Sequence, residues 1–150
     1  MSVSTKGSLA QALNRLVSSD ARHVQVGVID NSKYPDGTSV ASVAFWNEYG
    51  THRNGKQFIP ARPFFRDTIK EKKQTWVALA TQAIKAGYTV DHMLGLVGAQ
   101  MQTDIQFSIM TWTTPPNAPY TVAKKGFQSP LRNTMLMHDS IKFDVADGKL

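Results

Sequence analysis

The chain has 150 residues, 41% of them hydrophobic and 19% charged, which is the length and composition of one folded domain. Zero cysteines exclude disulfides and thiolate chemistry, and leave His, Asp and Glu as the strong metal ligands. The formal charge of +6 is concentrated between Arg53 and Lys73, where seven bases stand against two acids, so the stretch reads as a solvated helix face or as a surface turned toward a DNA passage or an acidic partner.

From the N-terminus, Met1 to Lys6 lacks the apolar core of a signal peptide, and no apolar run reaches the roughly 20 residues of a membrane span. The product is therefore expected to stay in the cytoplasm where it is made, without membrane contact. Residues 8 to 17 (SLAQALNRLV) place Leu9, Leu13, Leu16 and Val17 on one stripe of a short helix capped by Ser8. From His23 to Asp30, Val24, Val26 and Val28 alternate onto one face, which predicts a strand. Asn31 to Thr38 carries Pro35-Asp36-Gly37 in turn order. Ser39 then caps a short helix with Val40, Val43 and Ala44 at helical spacing, and Gly50 lets it stop.

A polar loop is expected from Thr51 to Phe58, ended by the stiff segment Ile59-Pro60-Ala61-Arg62-Pro63. Pro63 is placed as the first residue of a long helix to about Lys85, with Phe65, Ile69, Trp76, Ala80 and Ile84 as a stripe broken at Lys72 and Lys73. A second long helix runs from Asp91 to about Ile109 on Leu94, Val97, Met101, Ile105 and Ile109, and the short Gly87-Tyr88-Thr89 link makes the two an antiparallel pair. Thr111 to Leu131 is polar and Pro-rich, read as an arm along the domain or onto a neighbour, with a helical turn at Pro119 to Lys125. A turn of helix at Met135 to His138 precedes a strand from Ser140 to Val145, with Ile141, Phe143 and Val145 inward, and the last four residues form a loose tail. The sum is one α+β domain over 1–150: a small antiparallel sheet packed against two long helices, with a long Pro-rich loop or arm and a sheet edge open to a partner.

Two blocks carry a more specific signal. Trp46-Asn47-Glu48-Tyr49-Gly50-Thr51 followed by Ile59-Pro60-Ala61-Arg62-Pro63-Phe64-Phe65-Arg66, and later Pro116-Asn117-Ala118-Pro119-Tyr120-Thr121-Val122-Ala123-Lys124-Lys125-Gly126 with Pro130-Leu131-Arg132-Asn133-Thr134 before Ser140-Ile141, resemble in content and order a family of small tailed-bacteriophage proteins. These are variously called virion morphogenesis, neck, minor tail or tail-completion proteins. The chain departs from the family pattern at Asn133 and Met135, where the family usually has an acidic residue and a Gly, so a different turn is expected there. The resemblance implies a structural virion protein at the head-tail junction: a ring of identical copies around the DNA channel, six expected with twelve as the rival number. Its implied partners are tail-tube, tail-terminator and connector or head-closure proteins, with DNA passing through but not read by sequence. It implies a place in the virion tail or neck, after assembly in the host cytoplasm.

The residues offer little for catalysis. His23, His52, His92 and His138 form no compact metal spacing, Gly50 separates Glu48 from His52, and no GxSxG, P-loop or GxGxxG is present. No enzyme, cofactor or metal is expected. A basic DNA-binding accessory protein is the alternative, supported by a pI near 9.7, although no helix-turn-helix or stacking platform accompanies the charge. Trp46, Tyr49, Phe58, Phe64 and Phe65 are read as core or loop anchors. Arg62, held between two prolines, is aimed at a carboxylate, most simply Glu48. The candidate subunit or partner interface comprises Arg53, Lys56, Arg62, Arg66, Trp112, Tyr120, Lys124 and Lys125.

Overall fold

Alternating valines at positions 24, 26 and 28 make β1 (Arg22–Val28), which pairs antiparallel with β4 (Ile141–Asp147) in the register Val24 to Val145, Val26 to Phe143 and Val28 to Ile141. These cross-strand apolar pairs share one face, as a two-residue period requires. The computed structural model describes residue 11 and residues 22–147; the helix expected over 8 to 17 and most of the expected loose tail lie outside the described residues. Between the two strands come α1 (Val40–Tyr49), a hairpin of β2 (Thr51–Arg53) and β3 (Lys56–Ile59), α2 (Phe64–Lys85), α3 (Val90–Thr111), α4 (Pro119–Lys125) and α5 (Leu136–Asp139). The architecture is α+β, with a small antiparallel sheet and two long helices.

The apolar face of the sheet lies on α3, which in turn packs along α2. Gly98 permits the close approach of helix to sheet, because a Cβ there would stand 2.4 Å from Phe143 Cδ2 and 2.7 Å from Val24 Cγ2. Thr89 caps α3 by accepting from the His92 N–H, and Ile105 and Ile109 of that helix are fully buried with Val40, Phe64, Met137 and Ile141. Trp76, Ala83, Met93 and Val97 form a second cluster between the two long helices. There the Trp76 indole N–H donates to Asp104 Oδ2 at 2.7 Å, so its one polar atom is satisfied. Each fully buried Phe or Ile contributes about 1.5–3 kcal/mol of burial free energy.

Three expectations are corrected. Thr51 to Phe58 is not a loop but a β-hairpin turning at Asn54 and Gly55, whose φ values of 51 and 74 are those of a tight hairpin turn. The buried stripe of α2 is Phe64, Thr68, Trp76 and Ala83, one residue out of phase with the predicted one at its start, which leaves Ile69 at 37% exposure. Thr68 is accommodated there because its hydroxyl donates to the Phe64 carbonyl at 2.6 Å. Pro63 stands just before α2 as its N-cap rather than as its first residue.

Candidate partner-binding site

The first sequence block folds into a clasp where α1 ends and α2 begins. Gly50 turns the chain with φ 72, and its neighbourhood is so close that a Cβ would meet the Ile59 carbonyl oxygen at 2.8 Å and the Ala61 nitrogen at 2.9 Å. This folds β3 and the proline segment back along α1. Pro63 offers no side-chain cap to α2; Glu48, from the last turn of α1, supplies it. One carboxylate oxygen accepts from the Phe65 N–H at 2.9 Å, the other from the Arg66 N–H at 3.0 Å and Arg66 Nε at 2.8 Å. A carboxylate at a helix N-terminus satisfies orphan donors and opposes the positive end of the helix dipole. The Arg66 guanidinium also donates to the Glu48 carbonyl and lies 4.6 Å from the Tyr49 ring centroid, a cation–π contact.

Arg62 does not reach Glu48, contrary to expectation, because Arg66 and the two α2 N–H groups already occupy that carboxylate. It is buried, at 5% exposure, and its guanidinium binds across the domain: Nε donates to the Pro115 carbonyl at 3.0 Å, Nη2 to the Pro116 carbonyl at 3.1 Å and Nη1 to Asn47 Oδ1 at 3.2 Å. Burial pulls the Arg62 guanidinium below its ordinary pKa. The two sequence blocks therefore meet at one residue. The expected arm is pinned to its own domain at this point, and again where Pro130 is fully buried and Leu131 packs into the core. In between, α4 projects Tyr120 at 79% exposure.

α1 carries large apolar side chains that border two different grooves. Ala41, Phe45 and Tyr49 recur every four residues, whereas Val43, Trp46 and Asn47 line the other groove. The Phe45 face borders a groove of about 350 Å³ with Ile69, Phe65, Val28 and Ile141. The Trp46 face borders a larger one of about 910 Å³, lined by Tyr34, Phe58, Arg62, Asn117, Lys124, Lys125 and Arg132 among others. Of the residues read as core or loop anchors, Trp46 at 40%, Tyr49 at 51% and Phe58 at 66% exposure lie outside the core, whereas Phe64, at 1%, and the half-buried Phe65 belong to it.

Of the predicted interface residues, the larger groove gathers Arg62, Lys124 and Lys125. Arg66 belongs to the clasp, Arg53 and Lys56 stand exposed on the hairpin, and Trp112 packs against the core at the end of α3. The basic stretch from Arg53 to Lys73 is thus divided among hairpin, clasp and the outer side of α2, not gathered on one face. Arg132 was missed, although its place next to Asn133 within the second block was the available signal. Among the described residues there is no group of three or more potential metal ligands and no helix long and apolar enough to cross a membrane. No protein-family model, no curated protein and no solved structure matches the chain.

Proposed function

We propose that this protein is a structural subunit of a tailed-phage virion, forming a ring at the head-tail junction that joins the tail tube to the connector around the DNA channel. One observation carries the reading: α1 exposes apolar side chains toward two different grooves of unlike chemistry, Phe45 and Tyr49 beside an apolar one and Trp46 beside a cationic one. A subunit with two unlike contact faces suits the heterologous association that closes rings, and suits a part that must hold both its own copies and a different protein. The resemblance of the two sequence blocks supplies the virion context. Their meeting at Arg62 supports it further, since residues far apart in the chain then serve one contact region. Six copies is the expected ring order, and DNA passes without being gripped, because each phosphate contact would add affinity and impede sliding.

The role involves no reaction. Electron microscopy of lysates from a phage with an early stop codon in this gene tests it. Unjoined DNA-filled heads and complete tails, or tails of abnormal length, are the expected outcome; normal joined particles would end the structural reading.

A further inference from the structure

Four side-chain cations line the larger groove, Arg62, Lys124, Lys125 and Arg132; Lys124 stands near Asp36, and the other three meet no carboxylate among the described residues. Arg62 forms part of the floor, with its bonds going to the Pro115 and Pro116 carbonyls and the Asn47 side chain. Lys125 Nζ donates to the Ser129 carbonyl at 2.9 Å, and Arg132 Nη2 to Ser129 Oγ at 2.8 Å. All their partners are neutral. Asp36, the acid of the groove, is already engaged by the Thr38 N–H at 2.9 Å. The crowding is felt at Lys125, whose ammonium is pulled below its ordinary pKa by burial and then by the charges of Arg62 and Arg132. Such a cluster holds like charges together at an electrostatic cost that an incoming anion would relieve.

We propose that this groove binds an extended segment of a partner protein, seating its carboxylate side chains on Lys125 and Arg132 over the buried Arg62. Charge and shape select this occupant. A second copy of this chain, at a formal +6, is electrostatically mismatched to a cationic groove. Duplex DNA presents its phosphates on a wide convex cylinder, while the charge of Arg62 lies at the bottom of a recess at 5% exposure. A peptide strand is narrow enough to enter it. The exposed rings of Trp46 and Phe58 at the groove wall would cover the strand's apolar positions, which fits a chain alternating acidic and apolar residues. This assignment rests on the reading of the groove as a contact face and names its partner's chemistry, independently of where in a virion the protein stands.

The test is a titration of the purified full chain, followed by the arginine side-chain NMR signals, with three probes. These are an N-acetylated tetraglutamate amide, its glutamine counterpart and a short DNA duplex. The expected result is a saturable shift centred on Arg62 and Arg132 with the glutamate peptide and none with the glutamine peptide. Arg132→Gln should weaken it at least about fivefold, as loss of one charge-assisted bond implies, while Lys70→Gln on α2 leaves it unchanged. Shifts spread evenly over Arg53, Arg66 and the groove arginines would overturn the site. Stronger perturbation by the duplex would overturn the choice of partner. Because the isolated protein is titrated, either failure leaves the particle-assembly test standing, and the reverse also holds.

Discussion

Glu48 is buried to 6% exposure, and the groups that hydrogen-bond its carboxylate are all donors. Two of these donors are backbone N–H groups that no other side chain can serve, whereas Arg66 is half exposed, at 52%. The cap should therefore outweigh the ion pair. Glu48→Gln is expected to lower stability by about 2 kcal/mol, because an amide keeps one acceptor and turns a donor against an N–H. Arg66→Gln should cost clearly less than Glu48→Gln, as solvent screens an exposed pair. Urea denaturation of both variants decides this, and equal losses would mean that the pair, not the cap, holds the junction. A second residue-scale case is Met135, which adopts φ 62 and ψ −1 at the start of α5. The residue there occupies a left-handed conformation that Gly takes with least strain. Met135→Gly should raise stability by about 0.5–1 kcal/mol, and a lowered melting temperature would show that the Met side chain contributes more in packing than the backbone loses in strain. That Arg62 is aimed was readable from its flanking prolines. Its targets were not, since Pro115 lies 53 residues away and accepts through a carbonyl that every residue type possesses.

At the scale of elements, periodicity was enough to find both long helices and both strands of the main sheet, because each turns apolar residues toward the core. α1 was marked as much by its Ser39 cap and Gly50 stop, since it buries only Val40 and Glu48. Periodicity failed for the hairpin. Asn54-Gly55 is a turn signal, but Thr51 to Arg53 and Lys56 to Phe58 lie almost wholly in solvent and show no apolar alternation to mark them as strands. It also missed Gly98, whose value lies in what faces it. Gly98→Ala would gain about 1 kcal/mol of helix propensity yet force Phe143 or α3 to move, at a cost of roughly 1–3 kcal/mol. A net loss is expected in thermal unfolding, and a gain would mean that helix and sheet can separate without penalty. The far end of the sheet is tied by Lys142 of β4, which donates to Asp30 Oδ2 at 2.7 Å. With the Lys142 bond first and the Ser32 bonds next, the Asp30 carboxyl is lowered from 3.8 to about 2. A carboxyl depressed on folding stabilises fully above its unfolded value, and this share is lost as pH falls through the folded value. Wild type should therefore lose more stability than Asp30→Asn between pH 4 and about 2, measured by urea midpoints; identical acid limbs would remove Asp30 from the account.

For the whole molecule, the informative feature is the amount of apolar surface left without a partner in one chain. Two exposed pairs stand at helical spacing on different helices, Phe45 with Tyr49 on α1 and Phe107 with Met110 on α3. The first is an aromatic contact with ring centroids 4.7 Å apart. Monomeric proteins scatter such residues singly, and clustered ones mark contacts. If copies join head to tail, one pair belongs to each side of the junction, and a variant at either side keeps the other intact. If wild type closes into the proposed rings, Phe45→Ser and Phe107→Ser should each remain folded and monomeric at concentrations where it does so. Mixed together they should form dimers and go no further, since only one good junction can be made between them. Sedimentation velocity distinguishes the outcomes. Rings formed by either variant alone would remove that pair from the junction, a variant that dimerises alone would point to a contact between like faces, and a mixture that stays monomeric would rule out head-to-tail pairing of these two faces. Neither variant alters the cationic groove, so both should still take up the glutamate peptide. Self-assembly and partner capture would then be separable properties of two grooves bordered by the same short helix.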